Sequence, residues 1–280
     1  MSKAVRRVKG ESQKEIVRLI NSLSGKWSAW EIWQDFIIMS AISLANVFDK
    51  QEALEKEYMQ RASKYKPQEL DVFAKMLAEV VDALDSNPDQ DYLGELFMEL
   101  ELGDNWKGQF FTPYCVCKAM AAINCGNIGD TIKQRGWVSV NDPACGAGAL
   151  LIAVANQCKE QKINYQTDVL FVAQDIDFLA GCMCFIQMCL IGCPGYVVIA
   201  DTIAHPAQTY DRRGLLPISG QNVLYTPMFF RRQWMFRKAF AKIEVMTAGV
   251  QREKEPEEKA EPDKPEVQLH ETKSGQLVLF

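Results

Sequence analysis

Apolar positions recur every three or four residues through the first hundred residues, and then the pattern changes. Ile16, Leu19, Ile20 and Leu23 share one helical face that Gly25 ends. Ser28 is placed to cap a second helix, with Glu31 three residues on completing a capping box. That helix carries Trp30, Trp33, Phe36, Ile37, Ala41 and Leu44 and reads as deeply buried. Glu52 to Lys64 is a more polar helix, and Pro67 opens another that closes at Asn87-Pro88. Its inward set is Leu70, Phe73, Ala74, Leu77, Val80 and Val81. A further helix begins at Asp91-Tyr92-Leu93-Gly94-Glu95-Leu96-Phe97. Gly108 to Pro113 is a loop, because Pro113 turns Thr112 away from helix, and Tyr114 to Cys125 is helical. Short β-branched runs then alternate with helical ones. Strands are expected at Trp137–Val140, Val169–Ala173, Tyr196–Ala200 and Asn222–Tyr225, and helices from Ala149, near Phe178–Leu190 and over Met228–Met246. Such alternation implies parallel strands with right-handed crossovers.

The expected fold class is therefore α/β, a doubly wound Rossmann-like sheet preceded by a helical N-terminal domain. Residues 1–105 form the helical domain, 106–248 the α/β domain and 249–280 a tail. From Gln251 to Lys273 the tail mixes charges and prolines with almost no aliphatic residues. That is too little apolar area to offset ordering entropy, so it is read as disordered. Lys3, Arg6, Arg7 and Lys9 make the opposite terminus basic and frayed.

Composition narrows the function classes. A net charge of −5 over 280 residues argues against coating nucleic acid by charge alone, although the tail is itself net acidic. No apolar run reaches the length of a membrane span and no signal-like core opens the chain, so a cytoplasmic, nucleoid-associated protein is expected. Nine cysteines stand beside two histidines. Cys182, Cys189 and Cys193 can share a helical face, but no C-x-x-C pair exists. The cysteines are read as small buried hydrophobes in a reducing compartment, with no metal site. Trp27, Trp30 and Trp33 are read as helix core rather than a base-stacking surface.

The chemistry concentrates at Asn141-Asp142-Pro143-Ala144-Cys145-Gly146-Ala147-Gly148, between a strand and the helix start Ala149–Ala155. Strand, glycine turn and helix open a doubly wound sheet, in which ligands bind beyond the strand's carboxyl end. Gly146 and Gly148 let backbone approach a ligand that a Cβ would push away. The run from Asp142 to Gly148 resembles the S-adenosylmethionine motif of adenine-N6 DNA methyltransferases, particularly the modification subunits of type I restriction systems. Gly108-Gln109-Phe110-Phe111-Thr112-Pro113 resembles the segment that precedes that motif in the family. Gln174-Asp175-Ile176-Asp177 and Ala200-Asp201-Thr202 fall at strand ends, as the family's ribose-binding and adenine-binding acids do.

The resemblance implies S-adenosyl-L-methionine as cofactor and DNA as partner. Asp175 would hold the ribose hydroxyls and Asp201 the adenine amino group, with Pro143, Ala144, Gly146 and Gly148 in the turn. Asp142 would meet the methionine ammonium, with Phe110, Phe111 and Thr112 closing over that end. The family's catalytic Asn/Asp-Pro-Pro-aromatic tetrapeptide is missing. The nearest candidate is Thr226-Pro227-Met228-Phe229, where Thr226 replaces the acceptor, the Pro227 carbonyl can still accept, and the Phe229 ring is available to stack on a flipped base. No target-recognition domain is legible, so sequence choice is expected from a partner, such as a specificity subunit or another methyltransferase chain, or from the N-terminal helical domain. A catalytically inactive cofactor-binding accessory protein is the alternative. The closing residues Gln276, Leu277, Leu279 and Phe280, around Val278, resemble the bacterial sliding-clamp-binding motif.

Overall fold

The computed structural model describes residues 10–100, 111–208, 211–217, 222–252, 269–271 and 277–279. The first helices are α1 (Glu11–Leu23), α2 (Ala29–Ala45), α3 (Glu52–Ala62), α4 (Pro67–Ser86) and α5 (Tyr92–Glu99). α6 (Tyr114–Asn124) and α7 (Ile128–Arg135) follow, then β1 (Val138–Asp142), α8 (Ala149–Glu160), the single turn α9 (Tyr165–Asp168) and β2 (Val169–Asp175). The chain continues through α10 (Phe178–Ile191), β3 (Gly195–Ile199), β4 (Asn222–Tyr225), a 3-10 turn (Pro227–Phe230) and α11 (Arg232–Arg252). The contacts define two compact units, Met1–Lys242 and Ile243–Phe280.

Local chemistry accounts for several of these boundaries. The Ser28 hydroxyl accepts from the Glu31 amide at 3.2 Å, and the Glu31 carboxylate accepts from the Ser28 amide at 2.8 Å, the reciprocal box expected there. Pro67 stands at the start of α4, where its missing N–H leaves no helical bond unmade. The inward stripe of α4 differs from the expected one. Met76 and Leu84 join Phe73 and Val80 in the core, while Ala74 and Val81 face out. Trp33 is fully buried against Phe36, and Trp27 and Trp30 pack against the same core.

One continuous apolar cluster joins α1, α2, α4 and α5 to α8, α10 and one face of the sheet. The pleat divides the strands cleanly. Val169, Phe171, Ala173, Val197 and Ile199 face α8 and α10. Leu170, Val172, Tyr196, Val198 and Val223 face the other way, under Leu215, Phe229 and Trp234.

The sheet runs β1-β2-β3-β4, with β1, β2 and β3 parallel and β4 antiparallel to β3. Both crossover helices lie on one face, and the strand order never reverses among the described residues. The mixed α/β expectation stands in this coarser form. A doubly wound arrangement needs a reversal of strand order that these strands do not show.

In the second unit, β5 (Leu269–Glu271) pairs antiparallel with β6 (Leu277–Leu279), Leu269 opposite Leu279. The tail was expected to be unstructured from Gln251 to Lys273, yet α11 runs to Arg252 and β5 lies at 269–271. His270 stands opposite Val278 and Glu271 opposite Leu277 in the same ladder. Lys3, Arg6, Arg7 and Lys9, and residues 253–268, lie outside the described residues. Among the described residues no helix is long and apolar enough to cross a membrane.

Candidate active site

The turn after β1 is built by backbone groups and two carboxylates. Asp142, at the strand's last position, is 9% exposed, and its Oδ1 accepts from the Ala144 amide at 3.2 Å. The Cys145 amide donates to the Gln174 carbonyl at 2.9 Å, tying the turn to the end of β2. The Gly146 amide donates to Asp175 Oδ2 at 2.8 Å, and Asp175 Oδ1 accepts from the Asp177 amide at 2.9 Å. Gly146 has φ +53° and Gly148 φ +96°, the left-handed region where a side chain is strained. A Cβ on Gly146 would stand 2.9 Å from the Phe111 ring, and one on Gly148 2.9 Å from the Cys184 sulfur. Both glycines are thus required by conformation and by contact.

Phe111 and Thr112, from the segment upstream, lie beside this turn. They line a cleft of about 250 Å³ with Asp142, Cys145 and Gly146, and also a wider one of about 550 Å³ with Asp91, Tyr114 and Lys118. Phe110 lies outside the described residues. Pro143 is held from the far side, its carbonyl accepting from the Thr202 hydroxyl at 2.6 Å. Burial pushes the Asp142 carboxyl above the usual carboxylate range, and the neighbouring Asp175 charge adds to the push. Burial raises Asp177 as well. Asp201 is exposed just beyond β3, and its Oδ1 accepts from the Ile203 amide at 2.8 Å and the Ala204 amide at 3.2 Å. Ile176 and Ile203, beside the two acids, are 67% and 94% exposed.

Two glutamines that the sequence pattern passed over hold this assembly. Gln187 is fully buried in the otherwise apolar α10. Its Nε2 donates to the Ala147 carbonyl and to Asp91 Oδ1, both at 2.8 Å, and its Oε1 accepts from the Leu93 amide at 3.1 Å. Gln174, 1% exposed, donates to the His205 carbonyl at 2.9 Å and accepts from the Ala207 amide at 2.9 Å. Asp91 itself caps α5 through the Gly94 amide, and burial raises its carboxyl to about 6. The signal in the sequence was a lone polar residue inside each apolar run.

Residues 95–234, half of the chain, match the model of the N-6 DNA methylase family. The chain belongs to the N-6 DNA methylase family. No curated protein and no solved structure matches it. The matched stretch runs from α5, through the turn and its acids, to the start of α11.

The expected catalytic tetrapeptide is not at the turn. Thr226 is fully buried, its hydroxyl donating to the Cys193 carbonyl at 2.7 Å and accepting from the Gly195 amide at 3.0 Å. Gly195 begins β3, so Thr226, Pro227 and Phe229 stand at the N-terminal end of the parallel strands, opposite the cofactor turn. The reason is the direction of β4: an antiparallel strand delivers its C-terminal residues to the wrong end. The Phe229 ring is 1% exposed, stacked on Tyr225 at 5.9 Å and covered by Lys238 at 5.2 Å. It has no face open to a base. Of the cysteines, Cys182 and Cys193 are buried and Cys189 half-buried, and no group of three metal-ligating side chains forms among the described residues.

Proposed function

We propose that this methylase-family chain binds S-adenosyl-L-methionine at Asp142–Gly148 and acts on DNA as an adenine-N6 methyltransferase-like protein. The observation that carries the reading is the turn itself. Two positive-φ glycines leave a backbone cradle between Phe111 and the strand ends, beside a buried carboxylate that no cation pairs with among the described residues. The residues fit the cofactor. Asp142 faces its ammonium, Phe111 and Thr112 cover the methionine end, and Gly146 and Gly148 give it room. Asp175 keeps acceptor capacity beyond the two amides it already serves, since a carboxylate offers about four lone pairs. Ile176 and Ile203 offer apolar contact to an adenine whose amino group Asp201 accepts. When bound, the cofactor supplies an electrophilic methyl group on a sulfonium. What the chain's own residues do is bind, orient and exclude water around it.

A second reading is favoured by the burial of Thr226 and Phe229. It makes the chain a catalytically inactive cofactor-binding accessory that docks on DNA, the clamp or a full-length methyltransferase. Methyl-labelled cofactor with mixed-sequence DNA separates the two. Label recovered in N6-methyladenine supports the enzyme, cofactor binding without transfer supports the accessory, and no binding ends both.

The tail carries a further partner in this reading, the bacterial sliding clamp. Leu277 and Leu279 lie in β6, while Gln276 and Phe280 lie outside the described residues. The ladder with β5 is only three residues long, and so short a hairpin opens readily. A peptide of residues 273–280 should bind purified clamp with micromolar strength, and no anisotropy change at about 100 μM would remove the clamp from the account.

A further inference from the structure

We propose that the cleft at the N-terminal end of β1, at the opposite end of the strand from the cofactor turn, binds the phosphodiester backbone of DNA. The cleft encloses about 500 Å³ and is lined by Arg135 at the end of α7, Trp137 and Ser139 of the β1 segment, and Arg212 and Arg213 from the connection before β4. All three arginines are exposed. Arg213 Nε pairs with Asp211 at 3.1 Å, whereas Arg135 and Arg212 have no carboxylate partner among the described residues. No acid lines the cleft. Of the nearby acids, Asp211 is taken up by Arg213 and by the Leu215 amide, which donates to its Oδ2 at 3.0 Å, and Asp130 pairs with Lys133 at 3.1 Å.

The wall behind the cleft is rigid and also basic. Trp137 packs edge-to-face on Trp234 at 5.7 Å, and the Arg237 guanidinium lies over the Trp137 ring at 5.5 Å. Arg237 is anchored by a 2.6 Å bond to the Thr167 carbonyl, so it cannot swing away from the site. An aromatic wall beside two guanidinium groups without a carboxylate partner among the described residues, Arg135 and Arg212, suits a sugar-phosphate chain, and arginine matches phosphate geometry with paired N–H donors. On a chain of net charge −5 this cluster is a local reversal of sign.

DNA is the polyanion that membership of this methylase family supplies. The proposal rests on the family and the cleft, and it stands whether or not the cofactor reading does. Geometry links the two sites. The five residues of β1 span roughly 15 Å at about 3.3 Å per residue. Phosphates follow one another at about 3.4 Å of axis along one strand of duplex DNA, so about four or five nucleotides cover the same distance. Among the described residues β1 is one of the two edge strands of the sheet. A DNA strand gripped at Arg135 and Arg212 therefore reaches the turn by running along that edge.

The test is fluorescence anisotropy of the full chain with a fluorescein-labelled DNA duplex, repeated over a range of salt concentrations. Arg135→Gln/Arg212→Gln should weaken binding roughly tenfold or more at ~0.1 M salt, and flatten the slope of log affinity against log salt by roughly 1.8, about 0.9 per lost phosphate contact. Arg135→Lys/Arg212→Lys should keep most of the slope. Lys133→Gln removes a charge from the same helix outside the cleft and should behave as wild type. An unchanged slope in the double glutamine variant, or an equal loss in Lys133→Gln, overturns the proposal. Calorimetry with S-adenosylmethionine reads the other end of the strand separately, so a failure here leaves the cofactor site standing.

Discussion

At the C-terminal ends of the parallel strands, Asp142, Asp175, Asp177 and Asp201 crowd around a turn of backbone amides. At the N-terminal ends of the same strands stand Arg135, Arg212, Arg213 and Arg237 around Trp137 and Trp234. The acidic end spends its carboxylates on amides and leaves Asp142 desolvated, an environment that favours a cation with hydrogen-bond donors. The basic end leaves Arg135 and Arg212 without carboxylate partners among the described residues, an environment that favours an anion. The direction of β4 decides which end receives each loop. Because β4 is antiparallel, Thr226 and Phe229 belong to the basic end and serve its packing.

The largest expected effect comes from the glutamine that fastens the acidic end to the helical segment. Gln187→Leu leaves the Ala147 carbonyl, the Leu93 amide and the buried Asp91 carboxylate short of a partner. Unfolding in urea should show a loss of about 3 kcal/mol or more, since each buried group left unpaired costs roughly 1–3 kcal/mol. A loss confined to a few tenths would mean that this network holds nothing together.

Next is the pH response of Asp91. Its folded carboxyl is raised from 3.8 to about 6 by burial, so its contribution to stability is full below about pH 4 and is lost as pH rises through about 6. Asp91→Asn keeps an oxygen for Gly94 and Gln187 but carries no charge. Urea midpoints near pH 7.5 should place this variant above wild type by roughly 1–3 kcal/mol, with the gap closing below about pH 4. A constant gap across that range would show that the carboxyl is not the cause.

A smaller effect tests the basic end. Thr226→Val removes a hydroxyl that donates to Cys193 and accepts from Gly195, and should destabilise the fold by about 1–2 kcal/mol. Cofactor affinity should not change. A variant that folds normally but loses methyl transfer would return Thr226 to a reaction from which its burial now separates it.

These residues also show what was legible in the chain. The capping box at Ser28, the glycine turn and the acids ending β2 and β3 rest on local chemistry, and local chemistry can be read in order along a sequence. The direction of β4 cannot be read that way. Four residues with only Val223, Leu224 and Tyr225 apolar, after a long connection, fit either direction of pairing, and with β4 went the position of Thr226–Phe229. α7 has only Ile128 and Ile132 in a polar run, too weak a period to mark a helix. The cleft at Arg135 unites residues from three separate segments, which only the fold brings together.

The account stands on the turn as a cofactor cradle, and one calorimetric titration addresses it most directly. S-adenosylmethionine is added to the full chain without DNA, and then to Asp142→Asn and Thr226→Val. Asparagine at 142 can still accept from the Ala144 amide, so the turn is kept while the charge is removed. The predicted result is saturable one-to-one binding by wild type and Thr226→Val, and binding at least tenfold weaker in Asp142→Asn, matching the roughly 1.5–3 kcal/mol of a charged hydrogen bond. No heat of binding in wild type, or equal affinity in Asp142→Asn, would contradict it.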